Sequence, residues 1–425
     1  MSGATAESAT AEPPIFWLPK KCADMNNGSK GRAKPMRADR MLPLFALSPE
    51  PLRKKAVEAW CLWRKRRVSA NKTPRALIFF ITHRCNLRCS HCFFWREINQ
   101  GVTELTLDEI RKIARSMRHP LSLSLTGGEP FLRSDIPDIL DAFNEGCGMH
   151  EAAVATNGVL TERIDQTVSD ILKRRYLSSF GVQVSIDGTE ATHDAIRQVP
   201  GTFQKAMKTI AALAELTKQD SRLSVHAGVA VQKRNLSELE AVVETLLPFR
   251  IPIRFNIVRG GSFGVFGLPR SAAVDHDPAD HDNTFLTVAE IREAYRRLIR
   301  LNDTAPYRFW SERQRRIWEL SLAMLESRRP VFPCYASRME SVLYAQGDVA
   351  FCELSRSFAN IRDFGLDMAA LWASDAARTM RPLISKCFCI HGCNLTTGLT
   401  FDSKTVESVL LERAQRHLGK QEPDT

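Results

Sequence analysis

The chain has 425 residues, of which 44% are hydrophobic and 25% charged, and its formal net charge is +11. This is the composition of a globular protein, and no apolar run approaches the ~18 residues that a membrane-spanning helix needs. The length allows two or three ordinary domains, and the positive balance invites a partner of negative charge.

Residues 1–75 read as a basic, partly flexible segment. The first 47 are rich in Ala, Pro, Gly and Asn and include the basic run NNGSKGRAKPMRADR, a poor basis for an independent core. A helix is predicted over 49–68, with Ser48 as cap and Pro49 in the first turn. Leu52, Ala56, Trp60 and Trp63 form its apolar stripe. Arg64 to Arg67 close it with positive charge, which suits the helix dipole. The basic run reads as a solvated face, or else as a meeting place for an acidic peptide or nucleic acid; for the protein as a whole nucleic acid is not the expected partner.

ALIFFIT (76–82) is a short apolar, β-branched run without polar alternation, as in a buried strand. It leads into Cys85-Asn-Leu-Arg-Cys89-Ser-His-Cys92. Three soft thiolates this close can hold three irons of a cubane cluster and leave the fourth iron open. The competing reading is a zinc knuckle, for which His83 and His91 are the nearby fourth ligands. His91 is badly placed for it, between two cysteines of one tight loop.

The rest of 76–258 alternates strand and helix. A helix pattern over 106–117 sets Leu107, Ile110, Ile113, Ala114 and Met117 on one face. A strand over 121–125 runs into Thr126-Gly127-Gly128-Glu129-Pro130. Helices are expected at 134–145, 161–174, 203–216 and 236–247. Strands are expected before Thr156-Asn157-Gly158 and at 182–188, 223–231 and 251–257. Six such units imply a parallel sheet with helices on its outer face.

Residues 259–330 break the pattern. Four glycines with Phe263 and Phe266 among them suggest a loop that closes over the open mouth of the sheet and excludes water. DHDPADHD (275–282) reads as a solvated turn, its spacing matching no sharp metal motif. Helices are expected at 287–301 and 310–325. Five of the 11 cysteines then fall together: Cys334, Cys352, Cys387, Cys389 and Cys393. The first two bracket a predicted hairpin that turns at Gln346-Gly347-Asp348. Disulfides and zinc are the plain alternatives. No secretory leader is read at the N-terminus, and a reducing, cytoplasmic compartment is expected. Residues 401–425 are a terminal helix, near 403–418, and a tail.

Taken in order, these motifs resemble those of the radical S-adenosylmethionine (SAM) superfamily. The C-x3-C-x2-C spacing resembles its cluster signature, and the GGEP segment follows at the expected strand end. The resemblance implies a partial (β/α)6 barrel over 76–258, a [4Fe–4S] cluster on Cys85, Cys89 and Cys92, and SAM bound by amino and carboxylate groups. Gly127, Gly128 and Glu129 then lie at the methionyl amino group. Thr156 and Asn157 line the site, Ser185 and Asp187 approach the ribose and methionyl part, and Arg197 clasps the carboxylate. Val231 touches adenine, with Asn235 at the same strand end. His91 takes a place that is often aromatic.

Residues 331–400 resemble the shorter, twitch form of the SPASM extension, a β-hairpin and helix that carry an auxiliary iron–sulfur cluster. The full SPASM spacing is absent, and five cysteines are too few for two fully thiolate-ligated cubanes. One auxiliary [4Fe–4S] cluster is therefore expected on Cys334, Cys352, Cys387 and Cys393, with Cys389 able to replace either neighbour. The implied activity is reductive cleavage of SAM to a 5′-deoxyadenosyl radical, with an external one-electron reductant such as flavodoxin or ferredoxin. The expected substrate is a peptide or protein side chain. A sugar, nucleoside or other small metabolite is the alternative, and a non-catalytic electron-transfer protein is the rival of another class. No side chain is assigned as a catalytic acid or base.

Overall fold

The computed structural model describes residues 45–68, 71–258, 260, 263–274, 283–306, 309–310, 312–331 and 334–419. Within them the chain divides into two compact units. One runs through residues 71–395, and the other joins described residues of 15–70 to those of 396–425.

The larger unit is built on a sheet whose first six strands are parallel and lie in chain order. They are β1 (Ala76–Thr82), β2 (Ser122–Gly127), β3 (Glu151–Thr156), β4 (Ser179–Ser185), β5 (Leu223–Val231) and β6 (Ile253–Ile257). Among the described residues the sheet does not close on itself, and it has the form of the expected partial barrel. Leu77, Phe79 and Ile81 are buried on one face of β1, and Val225, Ala227, Val229 and Val231 on one face of β5. The connecting helices cover that side of the sheet, and the helix Thr202–Gln219 packs on β4 and β5. Parallel strands joined through helices put all six strand ends, and the loops that follow them, at one rim.

Several boundaries differ from the sequence expectation. Strand β4 begins at Ser179 and ends at Ser185, so Ile186, Asp187 and Gly188 lie in the loop beyond it. Residues Glu190–Arg197 form a helix that hydrophobic periodicity did not disclose, since only His193, Ile196 and Arg197 are buried along it. The glycine-rich segment is also different in kind. Val265–Phe266 is a strand, β7, paired antiparallel with β11 (Phe388–Cys389) in a two-stranded ribbon. Gly264 and Gly267 have φ of +67° and +73°. A Cβ on Gly267 would come within 2.5 Å of the Lys386 carbonyl oxygen, and one on Gly264 within 2.5 Å of the Ile390 side chain. These glycines allow close docking on a cysteine-bearing strand, where a freely closing lid was expected. The acidic turn 275–282 lies outside the described residues.

The expected hairpin is present as β8 (Glu340–Leu343) and β9 (Asp348–Ala350), preceded by a short helix, Ala336–Met339. It does not stand apart from the barrel. β8 pairs parallel with β1, and β9 and β10 (Ala359–Asn360) continue the same sheet, giving nine strands in all among the described residues.

In the smaller unit the helix Glu50–Val68 packs on the helix Ser403–Gly419. Val57 and Cys61 bury against Val406, and Arg53 pairs with Glu407 at 2.7 Å. The predicted stripe is only in part the packed face: Trp60 packs with this cluster, whereas Leu52 and Trp63 are 63% and 51% exposed. The helix turns its smaller apolar residues inward. Arg64 is partly withdrawn from solvent, donating to the Thr400 carbonyl at 2.7 Å between the rings of Trp60 and Phe401.

One ion pair ties the short turn after β10, Ile361–Phe364, to the first barrel helix, Leu107–Ser116. Thr106 and Glu109 form a capping box, and Glu109 also accepts two bonds from Arg362, at 2.7 and 3.1 Å. The Arg362 fork, followed by the capping bonds, holds the Glu109 carboxyl down at about 2. A carboxylate depressed on folding stabilises above its unfolded pKa of about 4.3, and that contribution fades as pH falls toward the folded value. Glu109→Gln is expected to cost about 1 kcal/mol at pH 7, after discounting for its partial exposure. In thermal melts the gap from wild type should narrow between about pH 4 and pH 2.

Candidate cluster and cofactor site

The three cysteines of the 85–92 loop sit at the β1 end of the rim, held by three neighbouring segments. The first is the turn after β2. Gly128 N–H donates to the Thr82 carbonyl at 2.9 Å and Glu129 N–H to that of Arg84 at 2.8 Å. A Cβ on Gly127 would lie 2.4 Å from the Thr82 oxygen, and one on Gly128 would lie 2.1 Å from the Arg84 oxygen. Two glycines are needed because the backbone of the cysteine loop runs directly against them.

The second segment is the strand end at Thr156-Asn157-Gly158. The buried Glu129 carboxylate accepts from Thr156 Oγ1 at 2.7 Å, Asn157 N–H at 2.8 Å and Phe131 N–H at 3.2 Å. Burial raises its pKa, and these donors oppose the rise. Asn157 Nδ2 in turn donates to Asn86 Oδ1, inside the cysteine loop, at 2.8 Å.

The third is the helix Glu190–Arg197. Ser90 N–H bonds to the Ile196 carbonyl at 2.8 Å, and Arg197 Nη1 donates to Cys89 Sγ at 3.5 Å. Arg197 Nη2 also meets Asp187 Oδ2 at 2.5 Å. Burial alone would drive the Asp187 carboxyl upward, but Arg197, with lesser help from His91 and His193, holds it low and ionised. Asp187 Oδ1 accepts from Ala230 N–H at 2.9 Å, and Asn235 Nδ2 donates to the Asp187 carbonyl at 2.7 Å. His91 accepts at Nδ1 from Gln232 Nε2 at 3.2 Å and turns Nε2 toward Asp187 at 3.9 Å. Its imidazole is pushed down to about 4, first by burial and then by Arg197, against the pull of Asp187.

The structure thus gathers Cys85, Cys89, Cys92, Gly127, Gly128, Glu129, Thr156, Asn157, Asp187, Arg197 and His91 into one bonded assembly. Val231, at the end of β5, packs in the core. Ser185, half-buried at the end of β4, makes no contact with it that decides its role. Four contributors were not singled out from the sequence. Asn99, at φ +59°, clamps Cys85 by accepting from its N–H at 3.0 Å and donating to its carbonyl at 3.1 Å. Glu104 accepts from Thr82 Oγ1 and His83 N–H. His193 Nδ1 accepts from Asp187 N–H at 3.0 Å, and Gln232 holds His91. Of these only Asn99 carries a sequence signal, since Asn before Gln-Gly marks a left-handed turn.

Burial raises the Cys85 and Cys92 thiols to about 11 and about 12, with the neighbouring loop cysteines adding to the rise. Deprotonated sulfurs in this site therefore call for a cationic occupant. Among the described residues no three Cys, His, Asp or Glu side chains stand close enough to hold a single ion. Ligands of a cluster bond to different irons, and three thiols on one loop with a guanidinium beside them fit that donor set.

A second thiol group lies where the hairpin, the ribbon and the helix Asp375–Ser385 meet. Cys334 and Cys352 pack with Phe351, Trp372 and Ile384. Cys334 is pushed well up by burial and then by the charges of Cys389, Cys352 and Cys387, and Cys387 by burial and then by Cys389 and Cys352. Four thiols thus sense one another, and none of the four is in a disulfide. Cys389 is among them, and the side chain of Cys393 lies outside the described residues.

Residues 79–246 match the model of the Radical SAM superfamily. Two proteins of Methanosarcina barkeri (strain Fusaro / DSM 804) are similar in sequence. The Fe-coproporphyrin III synthase is 31% identical over 187 residues, 43% of this chain and 43% of that protein. The AdoMet-dependent heme synthase is 33% identical over 181 residues, 42% of this chain and 48% of that protein. The match thus spans less than half the length of either relative. The crystal structure of Streptococcus suis SuiB bound to S-adenosylmethionine superposes with a TM-score of 0.51 at 14% identity, over 73% of this chain and 68% of that one. SuiB bound to its precursor peptide SuiA gives 0.50 at 13% identity, over 75% and 68%. Both show a shared fold. The match to the Radical SAM superfamily thus lies within residues 79–246, and it is a family that uses a [4Fe–4S] cluster and S-adenosylmethionine.

Proposed function

We propose that this protein is a radical SAM enzyme that abstracts hydrogen from a peptide or protein side chain. The observation that carries the reading is the joining of the Cys85–Cys92 loop to the GGEP and TNG strand ends, through the Glu129 N–H and the Asn157–Asn86 bond, with the Glu129 carboxylate tying the two strand ends together. A [4Fe–4S] cluster on Cys85, Cys89 and Cys92 would supply the electron that cleaves SAM to methionine and a 5′-deoxyadenosyl radical.

The chain's own residues hold and orient. Glu129 fixes the two strand ends beside the open position, and Asn157 fixes the cysteine loop to them. Arg197 has its Nε buried without a hydrogen-bond partner, leaving a donor for the SAM carboxylate. Asp187, Ser185 and Val231 are assigned to the nucleoside side. His91, neutral at ordinary pH, adds no charge there. Cys334, Cys352, Cys387 and Cys389 are assigned to one auxiliary cluster that passes electrons, with Cys393 the alternative to either of the last two. A flavodoxin or ferredoxin would supply the reducing electron.

The substrate rests on how far each likeness extends. The likeness to peptide-bound SuiB reaches 75% of this chain, well beyond residues 79–246, and so takes in parts outside the barrel. A second reading, tailoring of a small molecule, draws on the names of the two Methanosarcina relatives, which align over about the length of the barrel. Mass spectrometry of candidate peptides and of tetrapyrroles, incubated with enzyme, SAM and reductant, separates the two. A peptide left unchanged while a tetrapyrrole turns over would reverse the order.

Anaerobically reconstituted protein with SAM and a strong reductant is expected to release 5′-deoxyadenosine. Cys85→Ala, Cys89→Ala or Cys92→Ala should each reduce this to background. Absence of the product from cluster-loaded wild type with substrate present would refute the assignment. The triple variant should keep about four irons per chain on the C-terminal thiols. Iron analysis finding none in the folded variant would remove the auxiliary cluster, and stoichiometric zinc would replace it with a structural metal.

A further inference from the structure

Arg197 occupies an unusual position for a residue expected only to clasp a carboxylate. It is 7% exposed, and its partner Asp187 is fully buried. Two arms of its fork are directed at once: Nη2 to Asp187 Oδ2 at 2.5 Å and Nη1 to Cys89 Sγ at 3.5 Å. Asp187 cannot swing away, because Ala230 N–H, Asn235 Nδ2 and His193 Nδ1 hold its carboxylate and both sides of its backbone. The helix end that carries Arg197 is fastened to the cysteine loop as well, through Ser90 N–H and the Ile196 carbonyl.

We propose that Arg197, aimed by Asp187, is a positioning residue that sets the reduction potential of the cluster on Cys85, Cys89 and Cys92 through its N–H···S bond and charge at Cys89. This rests on the reading of those cysteines as cluster ligands. The physics is direct. Reduction adds negative charge to a cluster and its sulfurs, and a buried, fixed cation and N–H donor favour the more negative state. A guanidinium does this better than an ammonium, because its planar fork can bond the carboxylate and the sulfur in one fixed geometry. Asp187 limits the effect by neutralising part of the charge, but it also keeps the cation in a site where burial opposes it.

The test is an EPR-monitored redox titration of the full chain in the absence of SAM, on the reduced-cluster signal that Cys89→Ala abolishes. Leaving SAM out separates this role from a contact with its carboxylate, which could not move the potential of the SAM-free protein. Arg197→Met is expected to shift the oxidised-to-reduced ratio at fixed potential about tenfold toward the oxidised form, about 59 mV for a one-electron couple. Arg197→Lys should fall between Met and wild type. A midpoint equal to wild type in a cluster-loaded Arg197→Met overturns the inference and leaves the radical SAM reading intact. If Arg197→Met sheds its iron, Arg197→Lys is read instead, a lowered midpoint supporting the role and an unchanged one overturning it. Iron loss from both variants makes Arg197 a scaffold residue and also overturns it. A wild type with no cluster signal dependent on Cys85, Cys89 and Cys92 removes the reading and the inference together.

Discussion

The site depends on how closely two backbones approach. The Thr82 and Arg84 carbonyls lie where side chains on Gly127 and Gly128 would be, and at that distance the amides of residues 128 and 129 bond to the cysteine loop. A single methyl group there would force the loop away from β2. Once the loop is seated, the Glu129 carboxylate has only one place to go. It is taken out of water and compensated by three donors, of which Thr156 and Asn157 belong to the next strand end. A buried carboxylate is costly without such partners. The need to satisfy it therefore fixes β2 and β3 relative to the cysteines.

From there the order spreads around the rim. Asp187 stands in the same relation to β4 and β5 as Glu129 does to β2 and β3. It is a buried acid, bonded to the next strand through Ala230 N–H and to the cysteine loop through Arg197. Each acid couples two strands and the loop, and together they hold the loop from both sides. The sheet supplies the rigidity, and the two carboxylates transmit it to the sulfurs.

Much of this framework was legible in the amino-acid sequence. Apolar runs such as ALIFFIT and LSVHAGVAV read as strands because buried parallel strands need no polar alternation, and the motifs at their ends marked the rim. What escaped depends on contacts between distant residues. The helix Glu190–Arg197 buries so little that its periodicity is weak, and its register matters only because Arg197 must meet Cys89, 108 positions away. The pairing of β8 with β1 joins residues more than 260 apart and leaves no local trace. The stripe assigned to the helix Glu50–Val68 followed the largest apolar residues. Its partner, Ser403–Gly419, accepts the smaller Val57 and Cys61, with Trp60 beside them. The glycines of 264–267 suggested mobility, yet their backbone angles are needed for a tight ribbon with β11.

That ribbon and the β8 pairing bear on how a second thiol group is held. Cys352 follows β9, whose hairpin continues the sheet from β1, the strand that leads into Cys85. Cys389 lies on β11, pressed against β7 by glycines that leave no room for a side chain. Cys334 and Cys352 are walled by Phe351, Trp372 and Ile384. Four thiols brought together from such separate stretches, each in or beside a hydrogen-bonded strand or packed core, would repel one another as thiolates in so buried a place. Desolvation and mutual repulsion both favour a bound cation. The same physics applies at Cys85 and Cys92, where burial also raises the thiols. The difference lies in the neighbours. The loop cysteines have the Arg197 guanidinium at one sulfur, while Cys334 and Cys352 pack with aromatic and aliphatic side chains. At the loop a guanidinium donates to a sulfur directly, and at the second group that of Arg381 lies over Phe351 and Trp372, the rings that wall the thiols.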